Sequence, residues 1–306
     1  VEARTIEPEA EMYAQPSSSI APYGGLAGWV DVFDFSPPYA GPSLSVTPAT
    51  VAEMADAGVR TVMLQAARID DRTPGGLEDP WLLAEMLMRS HQQGLAVVGW
   101  YLPKWDTRGD DLERVLAMAD FEVMGHRFDG VALDIEWITD DLAPSERSAR
   151  LVNLSQAVRT QLGSEAVVGA IVPPPVQTEV VNPNFWPGFP WSQIAPLYDV
   201  WLPMSYWSFR SDSSGYGEGY TYHEESTRRL RANVGDPDAL VHGIGGIGGL
   251  DGIDDPPDPP EPLATVEEIE RFVVALEDTG SIGGSIYDRN TLEPSVRDRL
   301  AELFAT

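Results

Sequence analysis

Asp134 and Glu136 stand two residues apart in FDGVALDIEW, residues 128 to 137, inside a run with the alternation of a β-strand. Residues two apart on a strand share a face, so both carboxylates point one way, while Leu133, Ile135 and Trp137 point the other. At about 3.3 Å per residue they lie roughly 6 to 7 Å apart. Burying a carboxylate costs several kcal/mol unless it is paired or hydrogen-bonded, so two on one face need a reason. Two carboxylates in a poorly solvated site push the pKa of one upward, which keeps a proton available near neutral pH. Cleavage of a glycosidic bond needs such a proton donor.

The elements that would hold this pair repeat along the chain. Eight short apolar runs are readable at 28 to 35, 61 to 67, 96 to 102, 130 to 137, 166 to 172, 199 to 207, 239 to 246 and 281 to 288. Helical patterns separate them. TPATVAEMADAG opens with a Thr cap and Pro at the first helical position, and TVEEIERFVVALEDTG carries a capping box in Thr265 and Glu268. A doubly wound open sheet gives a similar string, but eight complete units is the number that closes a ring. The spacing predicts one α/β domain, a (β/α)8 TIM barrel over residues 27 to 306 behind a short irregular N-terminal arm, residues 1 to 26. In that fold the site lies at the C-terminal ends of the strands. Glu136 is then next to substrate and Asp134 one layer below.

Asp129-Gly130-Val131-Ala132-Leu133-Asp134-Ile135-Glu136 resembles the strand-four signature of family 18 glycoside hydrolases, the chitinase-like barrels. That resemblance implies Glu136 as general acid and Asp134 as its proton-sharing partner. Met204-Ser205-Tyr206 is similar to the family's Met-x-Tyr, implying contact between the Tyr206 hydroxyl and the reacting sugar. The order of strands and the short Asp-x-Glu also resemble family 25 lysozymes. Three positions depart from the family 18 pattern: Ala132 replaces an acid, Trp207 an Asp, and Tyr287 a Trp. Those positions are tied to N-acetylated sugars.

Other residues at strand ends are candidates for substrate binding. Trp100, Tyr101, Lys104 and Trp105 follow strand three; Trp201, Tyr206 and Trp207 belong to strand six. Aromatic rings stack on the apolar faces of sugars, although core packing also explains aromatics on strands. Gln65 is a potential hydrogen-bond partner on strand two, and His242 is the only histidine placed for chemistry. Asp31 and Asp34 at the end of strand one, with Tyr287 and Asp288 at the end of strand eight, offer a second carboxylate, as nucleophile or base. A salt bridge from Arg289 to Asp34 or Asp288 is the structural alternative. The glycines of GIGGIGG, 243 to 249, read as a turn or as backbone for close approach to a ligand. Two loops, NPNFWPGFPW (182 to 191) and DGIDDPPDPPEP (251 to 262), belong on the same face.

Composition narrows the partners. A net charge of -28 argues against nucleic acid and anionic membrane surfaces, and no apolar run is long enough to cross a membrane. The acidity suits a secreted or cell-surface protein. With no Cys and no ligand spacing among the four His, neither zinc nor any other cofactor is expected; an acidic Ca²⁺ site at Asp251, Asp254 and Asp255 lacks the EF-hand pattern. The expected activity is hydrolysis of a poly- or oligosaccharide. A non-catalytic carbohydrate-binding barrel is the alternative, and a metal- or phosphate-dependent barrel enzyme a third reading.

Overall fold

In the computed structural model, residues 18–42, 44–106, 109–139, 141–247, 264–287 and 292–305 are described. Eight parallel strands close into a barrel: β1 (Gly25–Val30), β2 (Thr61–Ala67), β3 (Ala96–Tyr101), β4 (Gly130–Asp134), β5 (Val168–Val172), β6 (Val200–Ser205), β7 (Leu240–Ile247) and β8 (Gly283–Tyr287). Each strand pairs with its sequence neighbours, and the ring closes where Gly25 of β1 meets Gly283 of β8. Outside run α1 (Val51–Asp56), α2 (Pro80–Gln92), α3 (Asp110–Asp120), α4 (Pro144–Leu162), the short α5 (Trp191–Ile194), α6 (Gly219–Val234), α7 (Val266–Asp278) and α8 (Pro294–Phe304). The predicted (β/α)8 barrel is the observed one.

Strand alternation divides the core in two. Ala27, Trp29, Met63, Val98, Trp100, Ala132, Ile171, Val200, Leu202, Met204 and Ile244 fill the lumen. Val30, Leu64, Tyr101, Val131, Leu133, Val172 and Trp201 face the helices. The lumen is closed at its N-terminal end by Tyr23, which is fully buried and donates its hydroxyl to the Val131 carbonyl at 2.7 Å. That plug explains the glycine of the Asp-Gly pair: a Cβ on Gly130 would sit 2.7 Å from the Tyr23 hydroxyl, and one on Gly169 2.8 Å from its ring. The last residues assigned to the arm therefore pack inside the barrel, and β1 begins at Gly25.

Other boundaries move for local reasons. β1 ends at Val30 because Asp31 caps a helical turn, Val32–Phe35, with a reciprocal capping box from Asp34. α1 starts at Val51, after Thr47 and Thr50 have closed a turn on each other. The Thr265–Glu268 capping box forms as expected. The glycines of β7 serve packing and not a turn: a Cβ on Gly243 would lie 2.6 Å from His223 and Leu276, and one on Gly245 2.5 Å from Trp207. Positions 248 to 262, including the acidic Pro-rich loop and Asp251, Asp254 and Asp255, lie outside the described residues, as do Asp288 and Arg289. No helix among the described residues is long and apolar enough to cross a membrane.

Candidate active site

The lumen opens at the C-terminal ends of the strands into a cleft of about 380 Å³, within the size range of small-ligand sites, roughly 300 to 1,000 Å³. Asp134 is the last residue of β4 and Glu136 lies in the turn beyond it, held close to the barrel because the Ile135 N–H still donates to the Ile171 carbonyl at 2.7 Å. Both line the cleft. Asp134 is 7% exposed, and its Oδ1 has no hydrogen-bond partner. Burial raises its pKa well above the ordinary carboxylate value, and the charge of Glu136 raises it further. Burial also raises Glu136, with no cation beside it to offset the effect. The two acids therefore release their last proton reluctantly and as a pair.

An unbroken series of rings forms one wall. Trp100 meets Trp29 edge to face at 5.8 Å, Trp29 meets Tyr287 at 6.0 Å, Tyr287 meets Tyr206 at 6.1 Å, and Tyr206 meets Phe209 at 6.0 Å. The indoles are fixed by their own N–H groups, Trp100 donating to the Met63 carbonyl at 3.2 Å and Trp29 to Ser285 Oγ at 2.9 Å. Asp31 enters the cleft from β1, accepting from the Tyr287 hydroxyl at 2.6 Å and the Phe33 N–H at 2.7 Å. Gln65 lines the cleft, its Oε1 accepting from the Val32 N–H at 3.1 Å.

A scan against protein-family models gives no match, and neither does a search of curated proteins. Solved structures do match. A spore cortex-lytic enzyme from Bacillus cereus aligns with a TM-score of 0.61 at 10% identity, covering 92% of this chain and 74% of that one. A chitinase from Bacteroides thetaiotaomicron aligns at 0.58 and 10% identity, covering 92% and 95%. A family 18 N-acetylglucosaminidase from Paenibacillus barengoltzii aligns at 0.57 and 11%, covering 92% and 99%. The fold is that of the chitinase-like glycoside hydrolases. At such identities the match speaks for the barrel's architecture alone.

Within this barrel the structure brings together Asp134, Glu136, Asp31, Gln65, Trp100, Tyr206 and Tyr287. Four other candidates lie elsewhere. Tyr101 faces the helices, where its hydroxyl donates to Asp111 Oδ1 at 2.5 Å. Trp207 is fully buried against Phe272, ring centroids 5.3 Å apart. His242 lies deep in the lumen: its Nδ1–H meets the Tyr23 carbonyl at 2.8 Å, its Nε2 lies 3.0 Å from Ser285 Oγ, and burial lowers its pKa to about 4. It is a neutral strut beneath Trp29, out of reach of a ligand. Lys104 stands outside the cleft, its ammonium 4.9 Å from the Trp137 ring centroid.

Asp34 is also displaced, because its carboxylate belongs to the backbone: Oδ2 accepts from the Asp31 N–H at 3.1 Å and Oδ1 from the Ser45 hydroxyl. This leaves Asp31, not Asp34, lining the cleft with Asp134 and Glu136 among the described carboxylates. Asp34→Ala is expected to lower unfolding stability by about 1 kcal/mol through the lost cap while turnover stays near the native value; denaturant titration and a rate assay on one preparation separate the two.

Several lining residues were not singled out from the sequence: Trp29, Phe33, Arg68, Phe185, Arg210 and Tyr222. Trp29 was within reach, since it shares the face of Ala27 and Asp31. Of the loop 182 to 191, Phe185 reaches the cleft, while Trp186 and Trp191 pack in the outer core. Among the described residues no cluster of three His, Asp or Glu side chains has the arrangement of a metal site.

Proposed function

We propose that the protein hydrolyses glycosidic bonds of a poly- or oligosaccharide. The observation that carries this reading is the Asp134–Glu136 pair, two carboxyls raised by burial at the floor of a ring-walled cleft. A binding protein gains nothing from a buried carboxylate with an oxygen left unpaired, whereas a proton donor needs that environment. The solved glycosidases of the same fold support the reading.

Glu136, the nearer of the two to solvent, gives its proton to the glycosidic oxygen. Asp134 beneath it holds the shared proton between cycles. Trp29, Trp100, Tyr206 and Tyr287 seat the sugar rings, and Asp31, oriented by Tyr287, is the second carboxylate acting on the anomeric carbon or on the water that attacks it. A Glu136–Asp31 carboxyl separation of about 5 Å gives retention and one above about 6.5 Å inversion. The acidic surface suits action outside the cell. The test is release of reducing ends from a panel of neutral, amino and acidic polysaccharides. Sugar binding without any release of reducing ends assigns the chain instead to the non-catalytic carbohydrate-binding barrels.

A further inference from the structure

Two arginines stand in the cleft with no role in the chemistry above. Arg68 follows β2 and Arg210 follows β6. In the ring of strands β2 and β6 are diametrically opposite, and β4, which carries the acid pair, lies midway between them. The two guanidinium groups therefore enter the cleft from opposite sides of the ring, one on either side of β4. Arg210 has no ion pair among the described residues, and Arg68 has only a long, shared one. Arg68 is seated against the rings of Phe33 and Tyr39, 5.3 and 5.6 Å from their centroids, and its nearest carboxylate, on Asp70, is 3.9 Å away. That carboxylate is taken in bidentate fashion by Arg72, at 2.9 Å through each oxygen. Arg210 lies 5.8 Å from the Tyr222 centroid and makes no ion pair with a described residue. The buried Nε of both lacks an acceptor.

The cleft's own acids do not supply one. Asp31 is occupied by Tyr287 and by the Phe33 N–H. The protonation of Asp134 and Glu136 is set by burial and by their mutual charge, with no contribution from a guanidinium. On a chain of net charge -28, a guanidinium on each side of one cleft places positive charge within an otherwise acidic molecule. Guanidinium forks recognise planar or tetrahedral oxyanions better than any other side chain does.

We propose that the sugar units on either side of the scissile bond carry anionic oxygen substituents, a carboxylate or a sulfate, read by Arg68 and Arg210. This rests on the glycosidase reading and specifies its substrate class. It also fits the departures at Ala132 and Trp207, positions that the family resemblance ties to N-acetylated sugars.

The test is binding, which needs no turnover. Glu136→Gln protein is titrated calorimetrically with polygalacturonate, alginate and dextran sulfate oligosaccharides, each against its carboxyl-reduced or unsulfated counterpart. The expected result is at least tenfold tighter binding of an anionic ligand than of its neutral partner. Adding Arg68→Gln or Arg210→Gln reduces that preference several-fold, and adding both abolishes it, with melting temperatures unchanged. Preference for the uronates assigns a carboxylate, and preference for dextran sulfate a sulfate. Equal affinity for charged and neutral members of every pair, or a preference that survives both Arg substitutions, overturns the inference. Release of reducing ends from neutral polymers would leave the proposed hydrolase standing in that case. Anion-selective binding with no hydrolysis would remove the hydrolase reading and keep the anionic site.

Discussion

Glu136→Gln is expected to fold like the native chain and to lose turnover by about 10² to 10⁴, the usual contribution of a positioned acid or base. Glutamine keeps the size of the side chain and removes the proton, and Glu136 makes no ion pair that its loss would leave exposed. The deficit has a form that a merely structural defect would not produce. Proton donation matters most when the leaving alcohol is poor, so the variant should retain far more activity on activated aryl glycosides than on a polysaccharide. The native rate profile should fall on its alkaline side as the pair loses its last proton, at a pH above the ordinary Glu value of 4.5 because burial raises the group. That limb should be missing from the variant. Steady-state rates on both substrate types between pH 4 and pH 9 decide it: a uniform loss across substrates with the alkaline limb intact would remove Glu136 from the role.

The period of two made most of this site legible, and it also accounts for the misplaced candidates. Trp100 and Tyr101 are adjacent aromatics on β3, so one must face the lumen and the other the helices; Met63 and Val98 on the lumen side put Trp100 in the cleft. Tyr206 and Trp207 divide the same way after Met204. Asp31 shares a face with Ala27 and Trp29. Asp34, read as part of the same strand, belongs to a helical turn whose capping box needs Asp at that position. The Asp-x-x-Asp spacing alone does not tell strand from cap. What alternation could not reach lies beyond the strand ends. Arg68 and Arg210 stand in loops with no period to place them, and only the closed ring shows that β2 and β6 face one another across β4. His242 has lumen parity but sits too deep, because alternation gives the side of a strand and not the layer.

Asp134→Asn should move activity and stability in opposite directions. In the native chain a carboxyl that is 7% exposed has its pKa raised by burial and by the charge of Glu136. The folded state therefore binds more protons than the unfolded state between the ordinary value of 3.8 and the raised one, and native stability falls as pH rises through that window. Asparagine is nearly isosteric, carries no charge and leaves a neutral oxygen where Asp134 Oδ1 has no partner, which costs less. The variant is expected to be more stable than the native chain near neutral pH, where ionising the buried carboxyl is penalised, and to gain little at pH 4, where the native carboxyl is protonated in any case. Turnover should fall by about 10²-fold, because Glu136 then titrates alone and loses the partner that holds the shared proton. The alkaline limb of the rate profile should move to lower pH, as the like charge that resists loss of the second proton is gone. Thermal unfolding of both proteins between pH 4 and pH 8, alongside rate profiles, reads all three effects. A stability difference that stays flat with pH would mean that Asp134 is not held protonated by its surroundings, and the pair could not then act as the reservoir that supplies Glu136.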